Sequence, residues 1–134
     1  MKIIFNTFFI LFLFFSSSFS KANDLIIAYQ ALEKEDYKTA IYFFSYYANL
    51  GNSKAQYNYA IMLKKGLGTI KNENEAFNWF FLSAKQNHML ANYALAQAYQ
   101  NGNGTKINYR LSMQTYQKAA LLGHATSKLH LGNL

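Results

Sequence analysis

The chain has 134 residues, a formal charge of +7 at neutral pH, 18% aromatic residues, no cysteine and no proline. Without cysteine, neither a disulfide framework nor lipid attachment at a cysteine is available, so packing alone must hold the fold. The basic residues form no dense Lys/Arg cluster, which argues against nucleic acid as a partner.

In chain order, the first segment reads MKIIFNTFFILFLFFSSSFSKAND. Lys2 is a short basic start, residues 3–15 are almost all Ile, Leu and Phe, and small residues follow, with Ser20 and Ala22 two apart. That order is the layout of a secretory signal peptide over 1–22, with cleavage expected after Ala22. As a helix the apolar run spans about 20 Å, short of the roughly 30 Å of a bilayer core, so no stable membrane span is expected after cleavage. Export to the periplasm or the outside follows as the expected localisation. Loss of Lys2 and Lys21 takes the charge from +7 to +5. What remains is lopsided: from Ala76 onward there are Lys85, Lys106, Arg110, Lys118 and Lys128, and no acid. An anionic partner, such as an envelope polymer, suits that half.

Residues 23–134 repeat with a period of 36. GLGTIKN at 66–72 returns as GNGTKIN at 102–108; Ala48, Ala84 and Ala120 align, as do Phe44, Phe80 and Tyr116. A fixed period in this range marks a solenoid. Each period reads as two helices. One runs over Ser53–Lys65 and is stopped by Gly66, whose left-handed conformation costs little. The next opens at Asn72, with Glu75 three positions on to complete a capping box. The scheme recurs over Met89–Asn101 and Asn108–Leu122. The first unit is shorter, with helices over 24–34 and 37–49 and Asp36 as a cap, and a final helix runs from Gly123 as a lid. Units of about 24–50, 51–86 and 87–122 and a capping helix 123–134 therefore give an all-α solenoid of antiparallel helix pairs, about seven helices in all. Ala48, Ala60, Ala84, Ala96 and Ala120 are the expected close contacts between helices.

The stretches AQYNYAIMLKKGLGTIKNENEAFNWFFLSAKQNH and ANYALAQAYQNGNGTKINYRLSMQTYQKAALLGH resemble the Sel-one-like repeat family, relatives of the tetratricopeptide repeats. The likeness covers about 24–134. This sequence departs from the family pattern in Asn72 and Asn108, where an acid is usual, in Ala60 and Ala96, where glycine is usual, and in the absent turn proline. The resemblance implies a right-handed α-solenoid that binds proteins or peptides, similar to envelope adaptors and host-interaction factors of bacteria. Some cysteine-rich relatives carry a link to penicillin binding, which leaves a cell-wall-acting enzyme as the alternative.

The chemistry for such an enzyme is not assembled. The only Ser-x-x-Lys is Ser18 to Lys21, within the expected signal. The glycine corners lack the Gly-Lys-Ser/Thr of a phosphate loop. His88 and His124 stand one repeat apart, about 10 Å, too far to share an ion, and His124 and His130 fall on different helix faces. Hence no catalytic residue, metal or cofactor is expected. What remains is surface. The first helix of each unit lines the concave face of such a stack, and after the core positions are removed Gln56, Tyr57, Asn58, Ile61, Asn92, Tyr93 and Gln97 are the candidate peptide-binding residues. Tyr supplies flat area at low entropy cost, and Asn pairs with backbone amides.

Overall fold

The asparagine caps and glycine corners do divide the chain. In a computed structural model, which describes residues 24–131, helices cover 24–33 (α1), Tyr37–Asn49 (α2), Ser53–Lys65 (α3), Glu73–Lys85 (α4), Met89–Asn101 (α5), Tyr109–Leu121 (α6) and Ala125–Leu131 (α7). There is no strand among the described residues. The expected signal peptide lies outside them. From α2 onward, packing runs between chain neighbours, as it must in a stack where each unit touches only the next.

Five side chains cap the helices that follow them. Asp36, Asn52, Asn72, His88 and Asn108 accept from the amides of Thr39, Ala55, Glu75, Ala91 and Leu111 at 3.0–3.2 Å. The capping box at Asn72 is nevertheless only half built. The Asn72 backbone N–H donates to the Leu63 carbonyl at 2.9 Å, so it has no need of Glu75. The Glu75 carboxylate instead accepts from the Asn72 side-chain amide, the Tyr59 hydroxyl and the Trp79 indole N–H. Asn108 makes the same backbone bond, to Tyr99 at 2.8 Å. Leu111 in place of a glutamate therefore costs that corner nothing.

The two glycines of each corner do different work. Gly66 and Gly102 end α3 and α5 in the left-handed conformation. Gly68 and Gly104 lie against the backbone at the first residue of the second helix one unit back, Tyr37 and Glu73 respectively. The corner thus seats each unit on its predecessor.

Phe44, Phe80 and Tyr116 are buried at 0%, 3% and 0% exposure, and Ala48, Ala60, Ala84 and Ala96 are buried around them. Ala120 is an exception: it is half-exposed, and Ala119 beside it is fully buried. Ala84 is covered on its far side by α6, whose Lys118 reaches the Ala84 carbonyl at 3.2 Å. Ala120 would need a further helix beyond α7 to be covered in the same way, and none follows among the described residues.

Candidate functional site

Tyr57 and Tyr93 are half-buried on α3 and α5. Tyr57 packs on Phe80 with ring centroids 5.8 Å apart, and Tyr93 on Tyr116 at 5.7 Å. Phe80 and Tyr116 are one repeat apart, so the two tyrosines occupy one structural position. Tyr29 holds that position in the first unit, edge-on to Phe44 at 5.2 Å. Strict 36-residue spacing hides it: Tyr29 stands 28 residues before Tyr57, because the first corner is eight residues shorter (36 − 28). Allowing that gap in the sequence comparison would have found the third rung.

Each later rung rests on a histidine just before the next helix, His88 or His124. Tyr57 lies 5.1 Å from His88, and Tyr93 lies 4.2 Å from His124. Tyr93 has further polar partners. Its hydroxyl accepts from the Gln97 amide at 3.1 Å and sits 3.3 Å from His130 Nε2. His130 in turn stacks on Tyr116, nearly parallel, at 5.0 Å. The six-residue spacing of His124 and His130 predicted separate faces. The structure brings both rings onto Tyr93, because α7 folds back over α5 and α6. Among the described residues, no three of His, Cys, Asp or Glu come together as metal ligands.

Of the other candidates, Ile61 and Gln97 lie one helical turn beyond Tyr57 and Tyr93 on the same face, both half-buried. Asn58 bonds the Tyr29 hydroxyl at 3.0 Å and the Lys54 carbonyl at 2.8 Å. Gln56 and Asn92 do not reach the surface. They are 5% and 1% exposed, and their amides donate to the carbonyls of Ala48 and Ala84. Those carbonyls belong to the last turns of α2 and α4 and already accept from the Gly51 and Asn87 amides at 3.0 Å, so each side-chain amide takes a second lone pair. Polarity suggested surface for these two positions; packing against the preceding helix end, with a carbonyl there for each amide to bond, put them inside.

Burial raises the Tyr57 and Tyr29 hydroxyls above the ordinary phenol value, and burial with the nearby Tyr93 pushes Tyr116 up to about 12. All three stay neutral at physiological pH. His88 moves the other way. Burial, then the Lys54 ammonium, holds its imidazole below the usual 6.5. The cap needs the same neutral form, since Nδ1 accepts from Ala91. The unfolded chain therefore binds this proton more tightly than the folded one. The stabilisation is fully present above the unfolded value and is lost as pH falls through the lower folded one. Asn52 caps α3 at the equivalent position, so His88→Asn should keep the cap while removing this dependence. Urea midpoints between pH 7.5 and 5 should fall less for the variant than for the wild type. Parallel curves would show that His88 does not couple to folding.

Stacked helix pairs, glycine corners and a ladder of repeated aromatic positions define a tetratricopeptide-like repeat scaffold. The Sel1 repeat model matches residues 29–52, 53–88 and 90–124, and the chain belongs to that family. Proteins of this kind generally mediate protein–protein interaction. A sel1-like repeat-containing protein of Acanthamoeba polyphaga mimivirus is 37% identical over 84 residues, 63% of this chain and 16% of that protein. A Sel1 repeat protein of Oxalobacter formigenes superposes with a TM-score of 0.78 at 26% identity, covering 82% of this chain and 45% of that one. For c5321, a protective antigen of uropathogenic Escherichia coli strains with an SLR fold, the TM-score is 0.82 at 24% identity, covering 88% of this chain and 26% of that one. Cysteine-rich protein B of Helicobacter pylori, with a TM-score of 0.67 at 15% identity over 86% of this chain and 95% of its own, shares the fold. This chain thus spans less than half of two of the three structures and about a sixth of the viral protein. No helix among the described residues is long and apolar enough to cross a membrane.

Proposed function

We propose that the chain is an exported module that binds a protein or peptide segment along the face of its first helices, acting as an adaptor or an envelope or host-interaction factor. The observation that carries this reading is the ladder Tyr29, Tyr57 and Tyr93, three half-buried or exposed rings at one repeat position, flanked by the amides of Asn58 and Gln97. Repeated aromatic anchors beside amides suit an extended, amide-rich ligand. Affinity capture by the mature chain from an envelope extract would supply that ligand. Tyr57→Ala should then weaken binding by about 1–2 kcal/mol, roughly five- to thirtyfold, with the smaller fall in melting temperature of the two tyrosines, since its ring packs on Phe80 but does not hold α7. Tyr93→Ala should lower both, since its ring also holds α7. Unchanged affinity in both folded variants would remove the groove assignment.

Export rests on the layout of residues 1–22. Mass spectrometry of the exported product should find Asn23 first; an intact Met1 on a membrane-bound product would contradict it. The acid-free stretch from Ala76 onward supports a second reading, association with anionic envelope polymers. Binding of that kind weakens steeply as salt rises, whereas anchoring by tyrosines does not.

A further inference from the structure

On the side of α5 away from Tyr93 lies an open groove of about 210 Å³, floored by α5 and flanked by α4 and α6. Leu95 and Ala84 line it, Leu111 and Thr115 form one wall, and Lys85 and Lys118 stand at its rim. Its volume is below the roughly 300–1,000 Å³ of small-molecule sites and suits one large side chain. We propose that this groove docks an aromatic side chain of a protein partner, an indole above all, carried on an acidic segment.

The chain itself supplies the pattern one unit earlier. The residue 36 before Thr115 is Trp79, and those before Leu95, Ala84 and Leu111 are Tyr59, Ala48 and Glu75. There the groove is filled. Trp79 packs on the core cluster that contains Ala48, edge-on to Tyr59 at 5.4 Å. Its indole N–H donates to Glu75 Oε1 at 3.4 Å, and the Tyr59 hydroxyl donates to the same oxygen. In the next unit both plugging groups are gone. Thr115 turns back to bond the Leu111 carbonyl at 2.7 Å, and leucine replaces the glutamate. Two cations enter at the same time: Lys85 replaces Asn49, and Lys118 replaces Leu82. Lys118 gives one bond to the Ala84 carbonyl, which leaves two of its N–H donors for a ligand. Lys85 lies 6.0 Å from the Phe81 ring centroid. Among the described residues the one side-chain ion pair is Lys71–Glu73, so neither rim lysine has a carboxylate partner. The open groove lacks an indole and a carboxylate and presents two ammonium groups, and a partner with both missing groups restores the arrangement of the filled one.

The test is fluorescence anisotropy of the full chain with a labelled, blocked peptide Asp-Glu-Trp-Glu-Asp. The same peptide with leucine for tryptophan, and one with amides for the acids, are the controls. Binding of the first peptide at least about tenfold tighter than either control is expected. The double variant Thr115→Trp with Leu111→Glu rebuilds the internal plug. It should melt no lower than the wild type and lose binding at least about tenfold. Lys85→Glu, an exposed rim change, should weaken binding without changing the melt, and Tyr57→Ala, on the other face, should leave it alone. Absence of binding at about 1 mM peptide, or full binding by the plugged variant or by Lys85→Glu, overturns the proposal. So does a concentration-dependent dimer that the plug abolishes, which would make a second copy the occupant. Loss with Tyr57→Ala but not with the plug would assign the peptide to the tyrosine face.

Discussion

Gly104→Ala is expected to destabilise the chain by about 3 kcal/mol or more, while Gly102→Ala two residues earlier costs about half of that. Both glycines are left-handed, at φ +70° and +75°, and a side chain there costs roughly 1–2 kcal/mol. The difference lies in what the new methyl meets. At 102 the nearest atom is Ile107 Cγ1 at 3.1 Å, a side chain that can yield. At 104 the methyl would run into the Glu73 carbonyl, with its carbon at 2.6 Å and the Asn74 nitrogen at 3.0 Å. That backbone is the first turn of α4 and cannot move without lifting one unit off another, which adds about 1–3 kcal/mol of overpacking. Urea titrations of the two variants decide the matter. Equal midpoints would mean that the corner does not press on the preceding unit.

Phe80→Ala is expected to cost about 3–5 kcal/mol, the range for a buried phenylalanine, against a total stability of about 5–15 kcal/mol for a domain of this kind. Phe80 is 3% exposed in the core cluster that joins α3, α4 and α5, and it also carries the Tyr57 ring. In a stack held only by neighbouring interfaces, no distant contact compensates. Phe81, the next residue, is 42% exposed, and Phe81→Ala should stay within about 0.5 kcal/mol. A pair of adjacent phenylalanines with such different costs reports the rotational phase of α4. Similar losses for both would show that the helix is turned from the position described.

The helices and their order were legible because they depend on local physics. A side chain such as Asn52 or Asn108 caps the amides next to it, a glycine such as Gly66 turns left where the chain must leave a helix, and a 36-residue echo means that one local solution is used again. Phe44, Phe80 and Tyr116 could be placed in the core on the same grounds, since identical neighbours at identical spacing must bury the same positions. Family membership followed from the same repeated positions. What only the tertiary structure decided lies between units. Gln56 and Asn92 look like surface residues until the carbonyls of Ala48 and Ala84, each with a lone pair to spare, are brought against them. His124 and His130 look separate until α7 folds them onto one tyrosine. Glu75 looks like a capping-box partner until the Leu63 carbonyl takes the amide it would have served, which frees the carboxylate for Trp79. Ala120 looks like Ala84, and differs only because the helix that would cover it is not there among the described residues. The local code states what each helix is. Which polar atom is buried, and beside what, depends on the helix packed against it from the next unit, and no spacing within one helix contains that information.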